Sequence, residues 1–514
     1  SHADLTEDYT AIPREMRAVA AQFGCRVLRE IDPAEFYAGL PGLRGKVSDR
    51  AILRAMHFFE ANERVPRLAA ALREPTAEHY LEEMLASGES SMEKLQNIYP
   101  ADPNERGLAL ALSLCRRELA GCGGWRVHGG GFAGTFLNAA VICAICAAIY
   151  SLPGSKPDGV SVLASFLTAG FCFWGTTILN IWFSFAGVLV YCLAMKKKPG
   201  AMANAFLFST GLAPLITEML FRYPGEAWHG FTGLGVGIAL AVGIFIGFIF
   251  PAVLPHSPQM HKGYDLYNAA VPIGLIAFFL RSLLYKIFTS APPASENVGL
   301  ADSFVPVSVG FCLVVFALAI IWGLALGGAK EYGRLLRDSG YNVDYGTKYG
   351  SGAAILNFGV YGLFIVLYYL LIGAKWNAAT LGCVFCMVCC CFKGSHPANV
   401  WPIMVGYVAA SFVAKFVCGL TGAEHTLMAN AQAIVIGLCF ANGLSPVSGA
   451  YGWLAGVVFG MIHYTLVTCV PLLHGSFCLY NGGFTAAFSC FLFVPVLEHF
   501  FHTKEQRKQL KAGK

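Results

Sequence analysis

The amino-acid sequence predicts a mainly α, polytopic membrane protein with about 13 helical segments in two inverted repeats, preceded by a truncated α+β segment. Three observations predict this fold class. Hydrophobic residues make up 56% of the 514 residues and charged residues only 13%, which is little charge for a soluble chain. Apolar stretches of roughly 20 residues, the length that spans a bilayer, recur after residue 135. Sequence blocks also recur in a fixed order, which indicates an internal duplication.

Residues 1–135 have the composition of a soluble domain. They contain 16 Lys/Arg and 19 Asp/Glu, whereas residues 136–514 contain 20 and 12. Spacing and capping signals predict four helices: one ending at Gly24, one capped by Ser48, one from Thr76 to Gly88 and one beginning at Asn104. An extended run, WRVH, and a glycine-rich loop then lead into the membrane domain.

The glycine-rich loop GGGFAGT is the candidate phosphate-contacting segment of this domain. Its four glycines permit close backbone approach and positive φ angles, which suits a cradle for phosphate oxygens. A tight turn between packed elements explains the same residues equally well. The glycines are Gly129, Gly130, Gly131 and Gly134.

Three ordered blocks in this domain resemble the C-terminal half of bacterial galactokinases, which belong to the GHMP kinase family. The blocks are SHADLTEDYTAIPREM at 1–16, SGESSMEKLQNIYP at 87–100 and WRVHGGGFAGT at 125–135. The resemblance implies that the glycine loop lies near the ATP phosphates and that Tyr9 contacts the sugar. The family's sugar-binding opening motif, its serine-rich phosphate loop and its catalytic aspartate have no counterpart in this chain.

Kinase activity is therefore not expected, because phosphoryl transfer requires positioned groups that neutralise the phosphates. We assign no catalytic residue and no metal site. We expect no cofactor, and ATP and Mg²⁺ would bind only if the kinase half were complete.

The membrane domain is predicted to be a tandem duplication. Asn138, Asn180 and Gly187 recur 219 residues later, and FSTGLAP at 208–214 recurs as FANGLSP at 440–446. HKGYDLYN at 261–268 recurs as HGSFCLYN at 474–481, with the same His-x5-Tyr-Asn spacing. Gly243 and Gly247 likewise recur as Gly456 and Gly460. Such ordered recurrence is typical of repeat architecture.

We expect six membrane segments in each repeat and one segment between the repeats. Because six plus one is odd, the second repeat would enter the bilayer from the opposite side, as in secondary transporters. Basic loops place the C-terminus in the cytoplasm, and the resemblance to bacterial proteins implies the inner membrane. The predicted regions are 1–135, repeat 1 at 136–288, a linker with one membrane helix at 289–349, repeat 2 at 350–500 and a basic tail at 501–514.

From about Gly134 to the end of the last apolar segment, the order of these blocks resembles a second family. This is an uncharacterised bacterial multi-pass membrane family, domain of unknown function 1576. GTFLNAA matches the beginning of that resemblance, whereas the overlapping GGGFAGT matches galactokinase. The stretch is therefore interpreted as a junction between two families, either a natural fusion or an artefact.

Polar residues inside apolar segments are the candidate solute path, because such residues are costly in a membrane. Hydrogen bonding between helices and helix capping are the alternative roles for each of them. The candidates are Asn138, Asn180, His261, Tyr267, Asn268, Asn357, His396, Asn399, His474, Tyr480 and Asn481.

The favoured function is transport or channelling of a small solute, joined to an inactive galactokinase fragment. The expected partners are the lipid bilayer and that solute, without nucleic acid; the oligomeric state stays open. One alternative is a membrane-tethered galactokinase whose N-terminal half lies upstream. Another is a membrane scaffold or sensor that transports nothing.

Overall fold

The computed structural model describes residues 6–71, 78–96, 107–118, 132–225, 230–289 and 305–512, and the single residues 73, 74, 76, 98 and 125. Within this part of the chain the structure is mostly helical, and its only β pairing is one bridge between Arg44 and Val47. The chain divides into two compact units, with a boundary between residues 133 and 134.

The described part of the first unit contains five α-helices, and the first three contribute a small apolar core that includes Val19, Phe36 and Phe59. The predicted helix ends at Gly24 (φ +71°) and at the Ser48 cap are confirmed, and the Ser48 Oγ accepts from the Ala51 amide at 3.2 Å. The helices are α1 (Thr6–Gln22), α2 (Pro33–Leu43), α3 (Asp49–Ala71), α4 (Glu78–Ser90) and α5 (Gly107–Glu118).

Two boundaries differ from the sequence prediction. Helix α4 continues past Gly88 to Ser90, because the Ser90 hydroxyl donates to Glu60 at 3.0 Å and Lys94 pairs with the same carboxylate. Residues 132–135, predicted as part of the glycine loop, form the first turn of helix α6 instead. Helix formation satisfies the backbone groups of this apolar stretch internally.

The first half of the second unit, taken as residues 132–288, has eight α-helices in its described part and starts with α6 (Phe132–Tyr150), whose first two residues precede the boundary. The others are α7 (Gly159–Phe171), α8 (Ile181–Ala194), α9 (Ala203–Ser209), α10 (Ala213–Phe221), α11 (Gly233–Val253), α12 (Ser257–His261) and α13 (Ala270–Ser282). Helix α14 (Val305–Ala325) follows, and then the short α15 (Ala329–Leu335) and α16 (Tyr345–Tyr349).

The second half, residues 351–500, repeats this order of elements. It contains α17 (Ser351–Leu371), α18 (Ala378–Val388), α19 (Pro397–Thr421), α20 (Gln432–Ala441), α21 (Ser445–Tyr451), α22 (Trp453–Val467), α23 (Val470–Leu473) and α24 (Asn481–Phe500), followed by α25 (Lys504–Ala512). In both halves a single 3₁₀ turn interrupts a helix at the repeated GLxP sequence: Thr210–Leu212 and Asn442–Leu444.

Among the described residues, eight helices are long and apolar enough to cross a membrane. Five shorter apolar helices accompany them, and each of the thirteen predicted segments overlaps one of these helices. The spans are Pro199–Phe221, Gly233–His261, Ala270–Phe288, Val307–Ala325, Ser351–Leu371, Pro397–Thr421, Gln432–Tyr451 and Asn481–Ala512. The chain is a polytopic helical membrane protein.

Repeated glycines bring helices together in each half. In the first half, α8 packs on α11 where Gly187 lies against the backbone of Gly243 and Gly247. In the second half, α19 packs on α22 where Gly406 lies against the backbone of Gly460. Small residues allow this close backbone approach, which drives helix association in a bilayer.

We predict that Gly247→Val destabilises the protein, because a Cβ at this position would overlap the Ser184 carbonyl on α8. Overpacking of this kind costs about 1–3 kcal/mol. The thermal unfolding midpoint in detergent measures the effect. Gly237→Val is the matched control, because Gly237 lies on the same helix with open space around it. Equal midpoints for the two variants would contradict the packing argument.

Candidate functional site: a cavity between two Tyr-Asn turns

Two turns with the His-x5-Tyr-Asn spacing make equivalent contacts in the second unit. We name residues 261–268 the first Tyr-Asn turn and residues 474–481 the second Tyr-Asn turn. The Leu266 amide of the first turn donates to the Gly443 carbonyl at 3.1 Å. The Leu479 amide of the second turn donates to the Gly211 carbonyl at 2.9 Å. Each turn therefore binds the helix break of the opposite half.

The glycine at each break is required by the tyrosine that packs on it. A Cβ at Gly211 would overlap the ring of Tyr480. A Cβ at Gly443 would approach the Tyr267 ring to 2.6 Å. Because both rings are fully buried, neither can move aside without opening the protein interior.

The two tyrosine hydroxyls differ in their hydrogen bonding. The Tyr267 hydroxyl donates to the Cys386 carbonyl and lies against the Asn442 side-chain oxygen, both at 2.8 Å. The Tyr480 hydroxyl is buried and has no hydrogen-bond partner among the described residues. The equivalent of Asn442 in the first half is Thr210, whose hydroxyl donates to the Leu207 carbonyl instead.

Both tyrosines line a cavity of about 330 Å³. Asn268 also lines this cavity and is exposed, whereas its counterpart Asn481 is partly buried. Each asparagine is hydrogen-bonded to the histidine that begins its turn, Asn481 to His474 Nδ1 at 2.5 Å. Apart from these polar groups and Lys393, the wall is apolar and is made by residues of α7, α12 and the adjoining segments. The cavity therefore offers an apolar volume with a few convergent polar groups, as small-molecule sites do.

Lys393 is held at the cavity by a carboxylate of the connector between α14 and α17. Its Nζ lies 3.6 Å from Asp344 Oδ2, which also accepts from the Gly159 amide at 3.0 Å. Burial raises the pKa of Asp344, but the Thr347 amide and the Lys393 charge outweigh burial and hold this pKa below its usual value. The connector thus supplies an ionised partner for the lysine of the cavity wall.

Two repeated asparagines hold the turns that precede α8 and α19. Asn180 Nδ2 donates to the Gly175 carbonyl at 2.9 Å, and Asn399 Nδ2 donates to the Gly394 carbonyl at 2.8 Å. Their side-chain oxygens accept from the amides of Thr177 and His396 respectively, as capping residues do. Both side chains serve the turn backbone and do not line the cavity.

The asparagines of α6 and α17 bind the same two turns. Asn138 Nδ2 donates to the Thr176 carbonyl at 2.9 Å, and Asn357 Nδ2 donates to the Ser395 carbonyl at 2.9 Å. The Asn357 side-chain oxygen is buried without a partner in the described part of the chain. These two residues therefore tie the first helix of each half, α6 or α17, to the turn that precedes α8 or α19.

The three predicted histidines are buried. His396 Nε2 lies 3.0 Å from the Asp338 carbonyl, and His261 Nδ1 accepts from the Gly263 amide at 3.2 Å. His474 bonds Asn481, as noted above. All three are 1% exposed, so none faces open solvent in this conformation.

Sequence reasoning missed two charged residues near the cavity. Lys393 ends the apolar run of α18, and its contact with the distant Asp344 has no signature in the sequence. Asp265 lies inside the first Tyr-Asn turn, 2% exposed, where Oδ1 accepts from the Tyr267 amide at 3.1 Å. Its Oδ2 has no hydrogen-bond partner among the described residues. The available signal was a lone acid inside a repeated apolar block.

Burial raises the pKa of Asp265 to about 7, although the amides of Tyr267 and Leu266 act in the opposite direction. The turn lies between the spans Gly233–His261 and Ala270–Phe288. This carboxyl can therefore change its charge near neutral pH.

The side chains and contacts of the galactokinase-like candidates lie outside the described part of the structure. Gly129, Gly130 and Gly131 lie outside the described residues. Tyr9 lies in α1 and Gly134 in α6, but only their backbone is described. Within the described residues, no group of three or more His, Cys, Asp or Glu side chains could hold a metal ion.

A family model described as "Protein of unknown function (DUF1576)" matches residues 126–286 and 327–499, which is more than half of the chain. The chain belongs to the DUF1576 family. The matched regions contain both Tyr-Asn turns and both helix breaks, so the cavity is built from DUF1576 residues. Residues 1–125 lie outside the match. No curated protein and no solved structure matches the chain.

The Tyr267 and Tyr480 hydroxyls of this DUF1576 chain differ in hydrogen bonding. We therefore predict that the same substitution has different effects at the two positions. Tyr267→Phe should lower the thermal unfolding midpoint, because it removes the one hydroxyl hydrogen that the buried Cys386 carbonyl and Asn442 side-chain oxygen share. Such a loss costs about 1–3 kcal/mol. Tyr480→Phe is the matched control and should leave the midpoint nearly unchanged. The reverse order of midpoints would show that the hydrogen bonds are assigned to the wrong tyrosine.

Proposed function

We propose that this DUF1576 protein transports a small solute across the bacterial cytoplasmic membrane and binds it in the cavity between the Tyr-Asn turns. The reciprocal contacts Leu266–Gly443 and Leu479–Gly211 carry this proposal. They join a polar turn of each half to a broken helix of the other half, beside a cavity bounded by both tyrosines. Broken helices at the interface of two repeats are how secondary transporters bind solutes.

We propose that the halves are inverted repeats of six segments with α14 between them. Seven membrane segments separate the start of the first repeat from the start of the second. Because seven is odd, the second repeat enters the membrane from the opposite side. The common order of elements supports the duplication, as do the recurring glycine contacts of α8 with α11 and α19 with α22. The regions 136–288, 289–349, 350–500 and 501–514 keep their predicted roles in this proposal.

The basic end of the second unit is proposed to be cytoplasmic, together with the C-terminus. Lys262 pairs with Glu498, and its carbonyl accepts from the Tyr341 hydroxyl at 3.0 Å. Arg507 donates to the Tyr451 carbonyl at 2.9 Å. These contacts gather the first turn, the connector and the tail at one end. Positive charge marks the cytoplasmic end of membrane proteins.

With this orientation, the cavity opens toward the cytoplasm in the present conformation. Lys393 of the cavity wall contacts the cytoplasmic connector, and Asn268 is exposed while Asn481 is partly buried. In an alternating-access cycle, the second Tyr-Asn turn would open on the opposite side. In this proposal the solute does not contact the asparagines of the other turns or the three histidines, His261, His396 and His474. These side chains hold the turns in position.

The wall of the cavity favours a small and partly apolar solute with one anionic or hydrogen-bonding group. Most of the wall is apolar, and Tyr480 and Asn268 supply two polar groups. Lys393 supplies a positive charge at the edge, partly neutralised by Asp344. A strongly charged solute would be left without enough partners in this volume.

We propose that residues 1–135 are a galactokinase-like C-terminal segment without kinase activity. The ordered sequence blocks support this assignment, as does the separate apolar core of the first unit. Tyr9 and the four glycines would be its sugar-side and phosphate-side positions. A membrane-tethered kinase would require a phosphate loop and a catalytic base. A scaffold or sensor would have no need for the cavity.

Solute binding and uptake by the purified full chain test the transport proposal. The probes are radiolabelled monocarboxylates, amino acids and monosaccharides, each offered to proteoliposomes. We expect uptake of at least one class, and we expect Asn268→Ala and Tyr480→Phe to reduce its apparent affinity by about tenfold, as loss of one good polar contact does. Asn430→Ala, an exposed asparagine outside the cavity wall, is the matched control.

Two results would contradict the proposal. Uptake that is equally strong in Asn268→Ala, Tyr480→Phe and Asn430→Ala would exclude the cavity as the solute site. Absence of uptake for every class, with folded protein in sealed vesicles, would argue against transport and in favour of the scaffold alternative.

A further inference from the structure

The Asp265 carboxyl is buried where few neighbouring groups could stabilise its ionised form. Among the described residues, Oδ1 accepts from the Tyr267 amide, the Leu266 amide also favours the ionised form, and Oδ2 has no hydrogen-bond partner. The ionisable side chain that faces it from α24 is the buried Cys490 thiol, which brings no positive charge. An unpaired carboxylate at such a place would be strongly unfavourable.

The repeat shows that this acid is not needed to build the turn. The equivalent residue of the second Tyr-Asn turn is Cys478, which is 3% exposed. That turn makes the same amide contact with its helix break, through Leu479 and Gly211. A small neutral side chain therefore satisfies the fold at this position, and the first turn carries an additional ionisable group.

The position of Asp265 couples its charge to the wall of the cavity. A Cβ at Gly443 would overlap Asp265 Oδ1, so the carboxyl lies directly on the helix break. The next two residues, Leu266 and Tyr267, line the cavity. A charged carboxylate needs water, and water can reach it only if the turn moves off the break. Moving the turn would displace Tyr267 and reshape the cavity.

We propose that Asp265 is a proton-binding site and that its proton controls whether the first Tyr-Asn turn stays bound to the Gly443 break. The protonated acid holds the turn in place. Breaking the carboxyl O–H bond transfers the proton to water on the side to which the cavity opens, and the resulting carboxylate releases the turn. The second turn, with Cys478, binds its break without this control. The consequence for transport, coupling to a proton gradient, rests on the proposed function.

Infrared spectroscopy of the full chain in nanodiscs tests the proton site without any solute. With ¹³C-labelled aspartate, we expect a protonated C=O band at pH 5.5 that disappears by pH 8.5 and is missing in Asp265→Cys. This variant copies the second turn and should fold. Asp49→Asn, which removes an exposed aspartate of the first unit, is the matched control and should retain the titrating band.

Amide hydrogen exchange over the same pH range tests the coupling to the turn, after correction for the intrinsic effect of pH on exchange. We expect the Leu266 amide to exchange faster as the band disappears, whereas the Leu479 amide should not change. In Asp265→Cys, the Leu266 amide should lose its pH response.

The thermal unfolding midpoint gives a third readout. A carboxyl with a raised pKa in the folded state is protonated there while the unfolded state is ionised. The stability it adds is complete below the ordinary aspartate pKa of about 4 and is lost as pH rises through about 7. Relative to Asp265→Cys, the wild-type midpoint should therefore fall between pH 5 and 7 and level off above pH 7.

Three results would overturn the proposal. A band that persists at pH 9 would mean a permanently protonated structural acid. Absence of the band at pH 5.5, or its loss on adding Na⁺ at fixed pH, would mean an ionised acid or a sodium site. If exchange of the Leu266 amide responds equally to pH in wild type and Asp265→Cys, the charge of Asp265 does not control the turn. These readouts need no solute, so a titrating Asp265 without any uptake would refute transport alone.

Discussion

The second unit depends on two backbone hydrogen bonds that cross between its halves, Leu266 to Gly443 and Leu479 to Gly211. A helix that breaks inside a membrane protein leaves carbonyl groups without their helical donors, and no water is present to satisfy them. Here the donor comes from a turn of the opposite half. Each half therefore supplies the donor for one glycine carbonyl at the break of the other half.

This exchange explains the sequence around it. The turn can approach the break only where the break residue has no side chain, which requires Gly211 and Gly443. The space beside each glycine is filled by a tyrosine ring of the incoming turn. Farther out, Gly187 and Gly406 bring the flanking helices close, and Asn180 and Asn399 close the turns that lead into them. The cavity is the volume left between the two turns.

The sequence was sufficient for the parts of this arrangement that recur. Apolar length predicted the helices, and the repeated His-x5-Tyr-Asn block identified Tyr267, Asn268 and Tyr480, which line the cavity. It could not decide which way the other asparagines point. Whether Asn180 faces its own turn or a solute depends on the backbone at Gly175, whose φ is +156°. The contact between Lys393 and Asp344 joins residues 49 positions apart and follows no periodicity.

The differences between the halves carry as much information as their likeness. A perfectly symmetric pair of turns would hold both breaks equally strongly, and a cavity between them would have no preferred side. Tyr267 bonds the Asn442 side chain, whereas the buried Tyr480 hydroxyl has no hydrogen-bond partner in the described part of the chain. The more strongly tied turn also contains the acid whose charge opposes that binding. Hydrogen bonds and an ionisable group on the same turn give it two states. With the proton bound, the turn stays on the Gly443 break; without the proton, the turn leaves the break and the carboxylate is hydrated. The other turn carries Cys478 in place of this acid.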